Sequence, residues 1–533
     1  MAFEVRHLPG DVLGLDAFAR AVLAGRPRPR VFGGLVPARV EEFEQPERAD
    51  DPALLDRDDL AERLTEHVRP DALHPAVAES IDKLADARGL AVVASVRPAF
   101  LGGPLAHLHA TLHAAALARE LERAWRRPVA PVLWVRSDEH ALEEVRSVRL
   151  LTRHLDLART GLASMGSGRR PIGSIVLGDE SHRLPALRGQ LAQVLLASEH
   201  RDRAIALFMP RAGETLGDAT RRAFGALLGH LGVVCVEPKA LRGTLSRALA
   251  RIVERGGADL LEAARERLGD LARVDEHALL FRHVDGARAA LRLDGAQFLF
   301  DGEEAQRSGA ELAAEIVADP EGFSAGAILE PIARDLVLPV AATVGGWNVA
   351  RDVAAGAEWR RSAGAPPARF VPRQHATLVS PMVREALRKR DVDLESVLRA
   401  RGVVEDAPVA ADRPEVLDRL RETIARHANE LRDLRSELSE IDKGLAHHLR
   451  RAAEENADRA RKILERAERV HGNRAGKSRK HARRLANTLF PDGAPQEAVS
   501  TTLQYACAFG TDWIDALADA IDPFPSEHLV LEL

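Results

Sequence analysis

"AVVASVRPAFLGGPLAHLHATLHAAALARELERAWRRPVAPVLWV", residues 91–135, decides how this chain is read. AVVASV at 91–96 is a short apolar run that marks a buried strand, and the loop RPAFLGGP follows it. LAHLHATLHAAALARELERAW, 105–125, then carries helical periodicity, and PVLWV at 131–135 is the next strand. Strand, glycine loop, helix and strand in that order make a crossover between parallel neighbours.

Working outward, the alternation returns. IALFMP at 205–210 reads as a strand, GDATRRAFGALLGHL as a helix and VVCVEP at 233–238 as another strand. ILEPIARDLVLPVAATVGG adds a helix and a strand closed by Gly345 and Gly346. The expected class is α/β, a doubly wound parallel sheet. ARAALRLDGAQFLFDG, 287–302, differs: two apolar runs flank Asp294-Gly295, a dipeptide suited to tight hairpins, and predict a small antiparallel insertion.

From Asp412 to about Leu489 the chain is rich in Arg, Glu and Ala. Asp412 as N-cap, Pro414 in the first turn and Glu415 three residues after the cap predict a helix start. Leu417, Leu420, Ile424, Leu431, Leu434, Leu438, Ile441 and Leu445 follow a three-four spacing that predicts a coiled-coil seam. HGNRAG at 471–476 is the break that would separate two long antiparallel helices. The competing reading is an amphipathic helix on its own core. The expected organisation is a core over 1–375, a linker and helical connection over 376–411, a helical arm over 412–489 and a C-terminal segment over 490–533 that packs back on the core.

The 533 residues are 46% apolar and 29% charged, an ordinary globular composition expected to form two or three units. A net charge of -5 gives no overall field for nucleic acid or an anionic membrane. The basic run RAGKSRKHARR, 474–484, lacks interleaved aromatics and reads as a solvated or ion-paired helix face, with a nucleotide phosphate as the other candidate occupant. Cys235 and Cys507 are too few for a disulfide framework, and no signal or spanning segment is evident, so a cytoplasmic protein is expected.

Ligands of open parallel sheets sit beyond the carboxyl ends of the strands. Two loops meet that condition. Gly102, Gly103 and Pro104 lead into a helix, where backbone amides approach an anion, although the same tripeptide serves as a simple turn. Asp138, Glu139 and His140 follow the second strand, where a carboxylate beside an imidazole suits proton transfer, while composition alone favours reading them as an acidic first helical turn. His140 with Glu143 or Glu144 supplies too few ligands for a metal site, and none is predicted. His107, His109 and His113 form no motif, and GLASMGSGRRPIG at 161–173 is a loop able to cover a phosphate. No nucleophile elbow or Cys-His pair is present, so covalent catalysis is not expected.

The segments VVASVRPAFLGGPL, PVLWVRSDEHALEEV, ILEPIARDLVLPVAATVGG, VPRQHATLV and LANTLFPDGAPQEAVSTTLQYACAFGTDWIDAL occur in an order that resembles the cysteine-adding enzymes of bacillithiol biosynthesis. The resemblance runs from about residue 90 to the C-terminus. It implies a Rossmann-like core with inserted connecting segments, a long coiled-coil arm through which such enzymes dimerise, and ligation of cysteine to glucosaminyl-malate by amide formation. Under it, His140, Asp138, Glu139 and Glu144 are the catalytic candidates. Arg97, Gly102, Gly103, Pro104, Gly345, Gly346 and Arg373 are the candidates for binding substrate or a nucleotide, with ATP as the implied activating group.

Several positions depart from the family pattern. Ser95, Val96 and Arg97 replace a Gly-Gln-Gln run, and His109 and Ala110 replace Tyr-Lys. Ala141 stands where relatives carry a second aspartate, while Trp347, Val349 and Asp352 replace Pro, Glu and Tyr. Two further readings therefore stay open, a non-catalytic dimeric binding or scaffold descendant, and a ligase using another amino acid or sugar conjugate.

Overall fold

The computed structural model describes residues 3–45, 50–70, 74–140, 142–163, 170–295, 297–402, 415–472 and 476–533. Ala141, residues 164–169 of the glycine and arginine loop, the expected helix start at Asp412 and Pro414, and residues 473–475 of the expected break and basic run lie outside the described residues. The chain divides into two compact units, Met1–Pro381 with Asn487–Leu533, and Met382–Ala486.

The first unit is built on β1 (Leu90–Val96), α1 (Leu105–Trp125), β2 (Val129–Val135), α2 (Leu216–Leu228), β3 (Val234–Val236), α3 (Glu330–Val337), β4 (Val340–Gly345), α4 (Trp347–Ala355) and β5 (Phe370–Pro372). The strands form one sheet in the order β5-β4-β1-β2-β3, with every pairing parallel. The chain enters at the middle strand, winds outward to β3 and returns on the other side of β1, as a doubly wound sheet requires. All residues of β1 and β2 are buried. Val92, Ala94 and Val96 face one core with Leu108 and Leu112 of α1, while Ala91 and Val93 face the other with Val132 and Trp134. Two covered faces explain why these strands show no polar alternation.

The strand expected at 205–210 is not formed, because this run ends the helix Arg201–Phe208. Ala204, Ile205 and Phe208 are its buried face, and the charged Arg201, Asp202 and Arg203 open its first turn. Short apolar runs do not separate a strand from one side of a buried helix, and here tertiary packing chose the helix. The next helix, α2, starts at a capping box between Thr215 and Asp218 and leads directly into β3.

The hairpin insertion is present. Ala287–Asp294 pairs with Gln297–Phe300, and Leu280–Val284 and Phe323–Ala325 extend it to a four-stranded antiparallel sheet. Gly295 at the turn has φ +58°, which its lack of a side chain permits.

In the second unit, helices Glu415–Ile441 and Lys443–Gly472 pack along each other with only Asp442 between them, a connection that makes them antiparallel. The reversal thus falls at Asp442 and not at 471–476. The Asp442 carboxylate accepts the Leu445 N–H at 2.7 Å, the service of an N-cap, and Gly444 follows two residues on. Leu417 is buried, whereas Leu434, Ile441, Leu445 and Ile463 are 46, 77, 52 and 61% exposed, so apolar side chains remain in solvent on both helices of the hairpin.

Glu497 holds the C-terminal segment of the first unit. Its carboxylate accepts hydrogen bonds from Arg373 Nη1 and Nη2 at 2.8 and 2.6 Å, His109 Nδ1 at 3.1 Å, His375 Nδ1 at 2.5 Å and the Ala376 N–H at 3.2 Å. Nearby, Glu527–Glu532 pairs with both Ala376–Val379 and Glu4–Pro9. Burial would raise the carboxyl pKa, but Arg373, His375 and His109 hold it well below the usual carboxylate range. Such a group stabilises the fold above its unfolded pKa and loses that contribution as pH falls through the folded one. Glu497→Gln leaves Arg373 buried without its counter-charge and is expected to cost about 3–5 kcal/mol near neutrality. Urea denaturation should show the gap between variant and wild type narrowing as pH falls below about 4.

Candidate functional site

The sheet reverses its winding beside β1, and loops from β1 and β2 converge at its carboxyl edge. The Arg136 N–H donates to Val96 O at 2.8 Å, fixing the exit of one strand against the other. Ile172 and Gly173 donate their N–H groups to Glu139 O and Ser137 O at 2.8 and 2.7 Å, so the Ser137–His140 turn is braced by backbone. Beyond it lies a cavity of about 290 Å³ lined by Arg97, Arg136, Asp138, Glu139, His140, Arg242, His277, Phe281, Arg288 and Glu330 among others.

Each acidic residue of the turn has a partner. Asp138 receives Arg242 in a bidentate pair, Nη1 to Oδ2 at 2.7 Å and Nη2 to Oδ1 at 2.6 Å. Burial raises its pKa, but Arg242 and Arg288 hold the carboxyl below its ordinary value. Glu139 pairs with Arg97 at 2.7 Å and Arg136 at 3.1 Å. Arg97 also pairs with Glu144.

The antiparallel insertion completes the wall. Arg288 stacks its guanidinium 3.6 Å from the Phe281 ring centroid and donates through Nη1 to His140 Nδ1 at 2.8 Å. A guanidinium only donates, so neutral His140 carries its proton on Nε2 and presents a donor there. Taking a proton through Nε2 would require the opposite tautomer, which the Arg288 bond opposes. Burial lowers the Arg288 pKa to about 10, a value that keeps it cationic at neutrality.

A second group of charges stands behind the turn. Arg136 lies 3.8 Å from Asp352 as well as against Glu139. Burial, with Glu139 and Glu330 adding to it against Arg136 and Arg97, pushes Asp352 up to about 7. Burial likewise raises Glu330 despite Arg334 and Arg136, and neither of its carboxylate oxygens has a hydrogen-bond partner among the described residues.

An adjoining cavity of about 470 Å³ includes Arg97, Gly103, Pro104, His107, Glu144, Arg149 and Arg159 in its lining, at the N-terminus of α1. Burial, then Arg136 and Arg97, lower His107 to about 3, so its ring is neutral, and its Nδ1 has no partner among the described residues.

The candidates named from sequence are thereby sorted. Arg97, Asp138, Glu139 and His140 line the first cavity, and Arg97, Gly103, Pro104 and Glu144 line the second. Gly102, Gly345, Gly346 and Arg373 line neither. A Cβ on Gly102 would stand 2.5 Å from the Phe208 ring, and one on Gly345 would stand 2.8 Å from Val349 Cβ, so both glycines serve close packing. Arg373 is committed to Glu497. Arg242, Phe281, Arg288 and Glu330 were not singled out, because nothing in their spacing ties them to the β2 turn. Among the described residues no group of three His, Cys, Asp or Glu is placed to hold a metal ion, and no helix is long and apolar enough to cross a membrane.

Comparison with known proteins agrees with this architecture. Residues 35–348 match the family described as "Bacillithiol biosynthesis BshC, N-terminal Rossmann-like domain", and 376–533 match its C-terminal coiled-coil domain. The "Putative cysteine ligase BshC" of Koribacter versatilis is 29% identical over 459 residues, 83% of this chain and 84% of that protein. The proteins of the same name from Solibacter usitatus and Bacillus velezensis are 25 and 22% identical, covering 85 and 90% of this chain and 86 and 90% of theirs. A solved arginyl-tRNA synthetase from Thermus thermophilus covers 94% of this chain and 96% of its own at 15% identity, with a TM-score of 0.17 that bears on neither fold nor function. With a Rossmann-like core and a helical hairpin both matched, the chain belongs to the bacillithiol biosynthesis BshC family.

Proposed function

We propose that this protein is a cysteine ligase that forms an amide between the carboxyl group of cysteine and the amine of a glucosaminyl-malate-like acceptor. The observation that carries the reading is the pair of adjoining cavities sharing Arg97, one of them at the winding reversal of the sheet. A ligation of two substrates with an activating group needs neighbouring compartments of this kind. In the first cavity, Arg288, whose Nε has no partner among the described residues, offers a donor for a ligand carboxylate or a developing oxyanion. His140 in this arrangement orients and stabilises, and a carboxylate takes the proton from the amine.

Arg149 and Arg159, which line the second cavity with Gly103 and Pro104 at the N-terminus of α1, would hold the phosphates of ATP there. Bound there, ATP supplies the activation that a carboxylate needs before an amine displaces its oxygen. The two buried thiols and the small-molecule chemistry support a cytoplasmic setting.

The second reading, a non-catalytic descendant, is favoured by one observation. His109, at a position of the family's Tyr-Lys pair, is bound into the Glu497 cluster and reaches neither cavity. The exposed apolar side chains of Leu434, Ile441, Leu445 and Ile463 support a homodimer under either reading.

Mass spectrometry of protein incubated with cysteine, glucosaminyl-malate and ATP should reveal the amide product. Arg288→Ala should lower kcat/KM by about tenfold to a hundredfold, the loss of one charge-assisted hydrogen bond. Absence of product with cysteine and with other amino acids, together with no stabilisation by ATP, would establish the non-catalytic reading instead. Sedimentation is expected to show a dimer that Leu434→Glu combined with Ile441→Glu converts to monomer, and an unchanged mass would remove these side chains from the interface.

A further inference from the structure

Glu330 has no hydrogen-bond donor among the described residues, although Arg97, Arg136, Arg242 and Arg288 line the same cavity. Glu139, Glu144 and Asp352 are paired with Arg97 and Arg136, whereas Arg334 and Arg136 act on Glu330 only through their charge. Glu139 takes both arginines, Glu144 takes the other arm of Arg97, and Asp352 stands behind Arg136. Glu330 lines the cavity at the first turn of α3, and both of its oxygens are shielded from solvent without a hydrogen-bond donor among the described residues. Its neighbour Arg334 acts on it through charge, but Nε and Nη2 of that side chain are engaged by Asp335 and Thr343, and it donates no hydrogen bond to Glu330 among the described residues.

A buried carboxylate with no donor is costly, and a cationic ligand that brings its own donors removes the cost. A metal ion does not fit, since no three acidic, His or Cys side chains among the described residues are placed to share one. A primary ammonium does fit. It carries one charge and three N–H donors, and a cavity of about 290 Å³ admits the group that bears it.

We propose that Glu330 is the ammonium-binding residue of this cavity and selects ligands that carry a free primary amine over those whose amine is acylated. This rests on the ligase reading for its substrates, and it goes further by assigning the recognition to a residue outside the β2 turn. Both ligation partners carry an ammonium, the amino sugar and cysteine, and the chemistry that holds them is shared. Where the bound ammonium is the attacking nitrogen, its surplus proton passes to the Glu330 carboxylate, leaving a neutral amine and a neutral carboxyl group.

Calorimetric titration of the full chain with glucosamine against N-acetylglucosamine, and with cysteine against N-acetylcysteine, tests the assignment. The wild type is expected to prefer the free amine of one pair by about tenfold or more. The pair that discriminates identifies the source of the ammonium. Glu330→Gln should bring that preference to within about twofold, and Glu330→Asp should restore part of it. Equal affinity for both members of each pair in the wild type, or a preference that survives Glu330→Gln, would overturn the proposal. Product formation is scored separately. Amine selectivity lost in Glu330→Gln while the wild type makes no product keeps the ammonium site and sinks the ligase reading. Product formed by Glu330→Gln at an unchanged amine KM sinks the site and keeps the ligase.

Discussion

The Glu497 carboxylate is the constraint on which the first unit depends. The chain leaves this unit at Pro381 and re-enters it at Asn487, so a segment distant in sequence must be secured against a sheet already formed by the earlier part. Glu497 does this with charge-assisted hydrogen bonds to Arg373, just beyond β5, and to His109 on α1. Those bonds tie the helix that follows the first strand to the sheet's far side. They also fix what lies next to them. Thr502 Oγ donates to Gly102 O at 2.8 Å, and the Leu105 N–H donates to Ser500 O at 2.7 Å, so the entry of α1 beside the second cavity is shaped by the returning segment.

That arrangement explains why residues with the chemistry of a binding site turn out to be structural. Arg373 and His109 look available in sequence, yet burial makes an unpaired guanidinium or carboxylate expensive, and the low-energy solution is to spend them on one another. The glycines behave in parallel. Gly102 and Gly345 sit at strand ends where phosphate loops have their glycines, but the space beside them is filled by Phe208 and Val349. Residue type at a strand end proposes a site, and packing decides whether the backbone there remains open.

Much of the fold was legible because its signals are local. The runs at β1, β2, β3 and β4, the helix between β1 and β2, and the Asp294-Gly295 turn each carry their own periodicity or turn chemistry within a few residues. The misread segment at 205–210 failed for the same reason, since six apolar residues satisfy two periods and only contacts separate them. The reversal at Asp442 was hidden by a seam whose spacing continues through it. Its signal was the side-chain cap from Asp442 to the Leu445 N–H with Gly444 between, a pattern short enough to be overlooked inside a long helical composition.

The site was legible in part, and the boundary follows from topology. Asp138, Glu139 and His140 could be placed because the end of a parallel strand locates them without knowledge of any other segment. Their chemistry could not, because it is set by Arg242, Arg288 and Glu330, which arrive from 104, 148 and 191 residues further along the chain than Asp138, His140 and Glu139 respectively. Arg288 reverses the expected role of the imidazole by claiming Nδ1. Asp352 on α4 is a carboxylate that meets Arg136. Glu139 and Asp352 therefore both meet Arg136. That Glu330 is left without a hydrogen-bond donor among the described residues is a property of the whole set, visible only once the three segments are brought together.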